Sequence, residues 1–286
     1  MSSFAGLDLK GAADDRGRWL LHGPQGSGKT TLAATLAEVG PTLLVDLIGE
    51  RGTRVIKGSP YEKNIKIVRP TSVTQLDDIF WALDKGDHPF KAVILDSLTA
   101  LQKMAMRYLM GHDETAVREI QQGTAPAQIQ TWGQALDIMT DTATFWYGLA
   151  DEEHESPMHV VLISQTREEQ NAELGVFSRD IDVQRGARGI MKAAPDYVLF
   201  TDLEEDMEAD SEDGPVYRHI VRFGSNPDYR LKARIPHNLR GKLPSIIGRK
   251  QAPNLTTLSR VLGVGGIPPR KTDAAKKTTT ARKGEK

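Results

Sequence analysis

Cysteine is absent from all 286 residues, which removes disulfide frameworks, thiolate metal sites and cysteine nucleophiles from consideration and makes the cytoplasm the natural compartment. Long apolar runs are missing too. None approaches the roughly 18 to 20 residues that cross a bilayer, so no membrane partner is expected. The opening MSSFAGLDLKGAADDRGR lacks the basic-then-apolar layout of a signal peptide, which argues against secretion. No internal repeat is visible. What remains is ordinary: 39% hydrophobic and 26% charged residues exclude wholesale disorder and fibrous classes. The length allows one large domain or two small ones, and the pattern fits one body, residues 18–262, between a lead-in at 1–17 and a tail at 263–286.

Charge is nearly balanced overall, at −1, but unevenly placed. Pro268 to Lys286 carries seven Lys or Arg against two acids, leaving the tail at +5 and the rest at −6. This end is rich in glycine, proline, lysine and threonine without apolar pattern, which predicts disorder. Asp202 to Asp213 has the opposite sign, with eight acids in twelve residues. Like charges this dense repel and stay solvated, so an exposed hairpin tip is expected there.

Buried strands read as continuous apolar runs. RWLLHG (Arg18–Gly23), PTLLVDL, NIKIVRP (Asn64–Pro70), FKAVILD and MHVVLISQ (Met158–Gln165) fit that description. Helices are expected between them: from Gly28 to about Val39, after a capping box formed by Ser72 and Gln75, along Leu98, Leu101, Ala105 and Leu109, and from Ile129 to Trp146. DYVLFTDL and VYRHIVRFG read as a hairpin flanking the acidic cluster. Gly111 to Pro126 and Thr166 to Ala194 show little periodicity and are expected to be loops. The alternation predicts an α/β fold with a mostly parallel central sheet flanked by helices, and antiparallel edge strands near the C-terminus.

The chemistry concentrates in Gly23-Pro24-Gln25-Gly26-Ser27-Gly28-Lys29-Thr30, followed by Thr31. This is G-x-x-x-x-G-K-T placed after a strand and opening a helix. Its glycines let backbone N–H groups approach phosphate oxygens, Lys29 reaches the β and γ phosphates of ATP, and Thr30 offers a hydroxyl to Mg2+. Asp96 ends an apolar strand and is the expected acidic partner of that metal ion, although it also stands where a helix N-cap would. Hydrolysis further needs a group that orients water. Glu50 is the candidate and Asp46 its competitor. Gln165 closes the strand MHVVLIS, where its amide reaches for the γ-phosphate. His22 reads as a packing residue. Lys232 and Arg234, two apart in an extended segment, share one side of it and offer positive charge to a nucleotide in their own chain or a neighbour.

These motifs, in this order across about Arg18 to Pro236, resemble the RecA-like ATPase core shared by RecA and RadA recombinases and DnaB-type helicases. They are most similar to the compact phage recombination and annealing proteins built from that core alone. The resemblance implies that Asp96 belongs to the magnesium shell, that Gln165 is a γ-phosphate switch, and that Lys232 and Arg234 act on ATP in the adjacent subunit of a ring or short filament. It also implies DNA-facing loops at Gly111–Pro126 and Thr166–Ala194, with Arg167, Arg179, Arg185, Arg188 and Lys192 touching phosphates of single-stranded DNA. A single-strand-binding protein is a further expected partner, and a phage-infected bacterial cell the expected setting. In recombinases the catalytic glutamate closely follows the acid of the second strand, whereas Glu50 stands four residues beyond Asp46. No N-terminal polymerisation module is recognisable. A helicase or helicase loader, a nucleotide-gated DNA-binding module with little turnover, and a small-molecule kinase are the alternatives.

Overall fold

A strand that is apolar at every position must be covered on both faces, and the computed structural model of the protein covers four of the five expected runs this way; NIKIVRP instead forms the edge strand of the sheet and leaves Lys66 and Ile67 exposed. The structure describes residues 3–4, 7–8, 15–47, 52–111, 129–171, 176–207, 209, 215–224 and 226–267. In chain order the elements are β1 (Ser3–Phe4), β2 (Leu7–Asp8), β3 (Arg18–Gly23), α1 (Lys29–Ala34), β4 (Thr42–Asp46), β5 (Ile65–Val68), α2 (Val73–Asp84), β6 (Ala92–Asp96), α3 (Leu98–Leu109), α4 (Ile129–Gly148), β7 (His159–Asn171), β8 (Val176–Ile181), α5 (Arg185–Ala193), β9 (Tyr197–Glu205), β10 (Tyr217–Arg222), β11 (Lys232–Ala233), β12 (Ile246–Ile247) and α6 (Leu255–Leu262). Among the described residues the strands β1 and β2 pair with each other, apart from the main sheet.

The ten other strands form one sheet, in the order β12-β10-β9-β3-β7-β6-β4-β5, with β11 added to β9 and β8 to β7. From β9 to β5 every pairing is parallel, and β10, β11 and β12 add antiparallel strands at the β9 edge. Successive side chains of a strand point to opposite faces. Leu20 of β3 therefore joins the core built with α2 to α5, while Trp19 and Leu21 join the second core with α1 and α6. Among the described residues no helix is long and apolar enough to cross a membrane.

Helix starts follow local hydrogen-bonding chemistry. Ser72 Oγ accepts the Gln75 N–H at 3.2 Å, but the Gln75 side chain reaches back to the Thr71 N–H at 2.8 Å rather than to Ser72. Ser97 caps α3 by accepting the Ala100 N–H at 3.3 Å, so the capping role belongs to Ser97 and not to Asp96. The helix α6 had no counterpart in the sequence reading. It is bracketed by Asn254, whose side chain accepts the Thr257 N–H, and by Gly263 in the left-handed conformation.

Two sequence expectations are corrected. Thr166 to Ala194 is not a loop: β7 runs on past Gln165 to Asn171 and folds back as β8, with Thr166 opposite Ile181, and α5 follows. Beyond Gln165 β7 reads Thr-Arg-Glu-Glu-Gln-Asn, polar at every position, so it shows no alternation. The acidic cluster is not merely a tip either. Asp202, Glu204 and Asp206 lie along or just beyond β9 and pair with Arg222, Arg249 and Arg218. Cross-strand cations replace the mutual repulsion of the carboxylates. The predicted loop at Gly111–Pro126 lies, after Gly111, outside the described residues, as does the tail from Pro268.

Candidate functional site

The parallel strands end together on one edge of the sheet, where β3 turns into the glycine-rich segment and α1. Gly28 sits at the turn with φ +89°, a left-handed conformation that suits glycine. A side chain there would also strike His219, since an ideal Cβ lies 2.9 Å from its Nδ1. Ser27 is fixed from the neighbouring strand, its hydroxyl 2.6 Å from that of Thr201. The loop is thus held by β9 as well as by its own helix.

Lys29 is almost fully buried at 6% exposure, and a buried ammonium needs partners. Its Nζ donates to the Gly23 and Pro24 carbonyls at 2.8 and 2.7 Å and to Gln165 Oε1 at 3.3 Å. Thr30 Oγ1 donates to Asp96 Oδ2 at 2.7 Å. Four residues from three segments distant in sequence, Lys29 with Thr30, Asp96 and Gln165, therefore converge on one point. Sheet order makes this possible: β7 lies between β3 and β6, so Gln165 and Asp96 flank the loop from adjacent strands. A cleft of about 360 Å3 opens beside them, lined also by Gln25, Gly26, Gly28, Thr31, Gly52, Val55 and His219. A hydroxyl and a carboxylate are the hard oxygen donors that suit Mg2+, which takes its other ligands from water and phosphate. When bound, that ion neutralises charge on the phosphates.

Asp46, adjacent to Asp96 in register, is 4% exposed and already engaged, accepting from Arg69 Nε at 2.9 Å and Thr53 Oγ1 at 3.3 Å. Glu50 lies outside the described residues. Its near neighbour Gly52 packs against the metal-side pair, an ideal Cβ there falling 3.0 Å from Asp96 Oδ2 and 3.1 Å from Thr30 Oγ1.

Lys232 and Arg234 are not in this cleft. Lys232 pairs with Val198, and Val198 with Leu20, so β11 lies across β9 from β3, level with the middle of that strand. From Leu20 to Gly23 is about 10 Å of strand. Lys232 Nζ donates to the Ala193 and Pro195 carbonyls, each at 2.6 Å, closing the end of α5, and burial lowers its pKa. Arg234 pairs with Asp196 at 2.7 Å and stays 60% exposed. Neither residue lines the cleft beside the phosphate loop.

The five cations of the second expected DNA loop also separate. Arg188 is buried, donating to the Val183 carbonyl at 2.9 Å and to Glu169 at 2.6 Å, and this contact holds the Glu169 carboxyl below its usual range. Lys192 turns inward onto Asp180 at 2.6 Å. Arg179 binds Glu168 at 2.8 Å and stands over the Tyr229 ring. Arg167 and Arg185 face solvent, Arg167 lying 3.4 Å from Glu169.

His22 is a core residue, as expected. It is fully buried, 3.0 Å from the Thr166 hydroxyl and edge-on to Phe200, and burial lowers its pKa to about 4. His219 is the site residue that sequence reasoning missed. It is one exposed position in a strand, and only the pairing of β10 with β9 carries it over the loop.

The family model described as an AAA domain matches residues 16–235, well over half of the chain. No curated protein matches the sequence.

Proposed function

The chain belongs to the AAA-domain family of P-loop ATPases, and from that premise we propose that it is a RecA-like, ATP-dependent, single-stranded-DNA-binding ATPase of phage-type recombination or annealing, working as a homo-oligomer. The observation that carries this reading is the bond between Lys29 and Gln165, because the strand holding Gln165 continues without a break into the projecting β7–β8 hairpin. A γ-phosphate arriving at Lys29 competes for that amide, and the hairpin receives the change.

In this reading Gly23 to Thr31 cradle the phosphates, Lys29 balances their charge, and Thr30 and Asp96 hold Mg2+. Glu50 orients the water. Arg234, exposed and remote from its own loop, would serve the nucleotide of a neighbour, with Lys232 bracing the segment beneath it. ATP then lies at subunit junctions, in a ring or short filament. Arg167, Arg185 and the basic tail would meet DNA phosphates without reading sequence. A single-strand-binding protein is a natural partner for strands held this way.

ATP hydrolysis measured with and without single-stranded DNA, alongside strand annealing, tests the reading. The wild type should show DNA-stimulated turnover and annealing, and Lys29→Ala should lose turnover. Hydrolysis indifferent to DNA, together with no annealing, would sink the recombination role and leave a P-loop ATPase of another purpose.

A further inference from the structure

Between α2, α3 and α4 lies a groove of about 290 Å3 that the nucleotide chemistry does not use. Phe80, Tyr108 and Phe145 line it together with two carboxylates, Asp77 and Asp141. Phe145 is 59% exposed and Tyr108 is exposed as well. Phe80 joins Phe145 to the exposed Trp81, its ring centroid 6.0 Å from the one and 5.3 Å from the other. Single exposed rings are ordinary, but contiguous ones mark a surface that meets something. Both carboxylates are exposed. Neither has a hydrogen-bond or ion-pair partner among the described residues, and burial, followed by the like charge of Asp78, raises the Asp77 pKa.

Ring faces beside unpaired carboxylates suit one class of occupant, a cationic side chain on an apolar stem, which lays its charge on a ring and pairs with an acid. A neutral apolar ligand would leave both acids unanswered, and an anion would be repelled. The chain supplies such cations itself. Pro268 to Lys286 carries seven Lys or Arg against two acids. It leaves the body at Ile267, in the cavity of about 500 Å3 that Glu155 also lines. Glu155 packs on Gly86, just past the end of α2, where an ideal Cβ falls 3.2 Å from its Cγ. From Gly86 back to Asp77 is about 14 Å at the helical rise. Lys276 and Lys277 stand about 30 Å from Ile267 along an extended chain, enough to span that distance and the width of the cavity together. A tether this short holds the cations near the groove at about millimolar concentration, so a few weak ion pairs and ring contacts suffice to seat them.

We propose that the groove between α2, α3 and α4 is a docking site for the basic tail of the same chain, with Lys276 and Lys277 on Asp77 and Asp141, against the Phe80 and Phe145 rings. The inference is independent of the recombination reading, since it requires only the groove and the tail.

Carbodiimide coupling of the full chain, which joins a lysine amine to a carboxylate in contact with it, tests the seat. Peptide mapping by mass spectrometry should find Lys276 or Lys277 joined to Asp77 or Asp141, and the links should fade as salt rises. In an equal mixture of light and heavy isotope-labelled chains, the links should join peptides of the same label. Links of mixed label would assign the groove to the tail of a second copy and overturn the proposal. A fluorescent synthetic peptide of residues 270–286 gives a second arm. The full chain carrying Lys276→Gln, Lys277→Gln, Arg282→Gln and Lys283→Gln together should bind this peptide saturably and about tenfold tighter than wild type, whose own tail competes. Adding Asp77→Asn and Asp141→Asn should weaken that binding about tenfold and leave basal ATP hydrolysis unchanged, which shows the body intact. Absence of tail links to both aspartates overturns the docking site, as does equal peptide affinity in wild type and the Gln variant, or binding unmoved by the Asn pair.

Discussion

Mild acid should destabilise this protein before its ordinary carboxylates titrate. His22 and His159 are both fully buried, and burial sets their folded pKa values at about 4 and about 3, with Asp180 opposing part of the effect at His22. In the unfolded chain each returns to about 6.5. Below that pH the unfolded state takes up protons that the native state refuses. Stability is therefore complete above about pH 6.5 and falls as the pH drops toward the folded values. One pH unit is worth about 1.4 kcal/mol per group, so reaching about pH 5 costs about 2 kcal/mol for each histidine and about 4 for the pair. That is a large share of the roughly 5 to 15 kcal/mol available to a folded domain. Asp77 and Asp151, whose pKa values burial raises, act in the opposite sense and cannot mimic the loss. The urea midpoint, followed by tryptophan fluorescence from about pH 8 to about pH 5, should fall steadily below about 6.5. His159→Asn should remove about half of that slope. A midpoint unchanged across this window would refute the assignment of two neutral, buried rings.

Mixed oligomers test the use of Arg234. Subunits carrying Lys29→Ala, combined with subunits carrying Arg234→Ala, should recover part of the ATPase activity that each lacks alone, because an intact loop then meets an intact arginine across a junction; no recovery in demonstrably mixed oligomers would count against a role in trans. Arg188→Ala separates structure from DNA contact. Removing buried Arg188 frees the Val183 carbonyl and leaves Glu169, 44% exposed, to water, so it should cost about 1 kcal/mol and lower the melting temperature, whereas a pure DNA contact would leave it unchanged.

Much of the site was legible because it is local chemistry. The phosphate loop is contiguous, and Asp96 announced itself as an acid closing a run of apolar residues. The parallel sheet was legible for the same reason, since a strand covered on both faces has no polar position to disguise it. Features made by pairing were hidden. Thr166 to Asn171 alternates nothing, being wet on both sides, and its strand nature comes only from the partner that folds back on it. The acids of β9 looked repulsive because the arginines that neutralise them sit on β10 and at Arg249. His219 is remote in sequence from the loop it covers. The helix α6 did carry a signal, Asn254 and Gly263 bracketing Leu255, Leu258 and Leu262, but about two turns of chain are too short for a helical period to stand out.

The unbroken course of β7 limits how the cleft can speak to the hairpin. A loop would absorb a small push through a few soft dihedrals. The first half of β7, His159 to Ser164, is buried in the sheet and cannot creep, because a slip of one residue would turn its side chains to the opposite face. Movement begun at Gln165 must therefore leave as a tilt or a twist of the whole ribbon. The protein has a stiff ribbon where a loop was expected, with Gln165 in the cleft and Arg167 to Gln170 facing solvent.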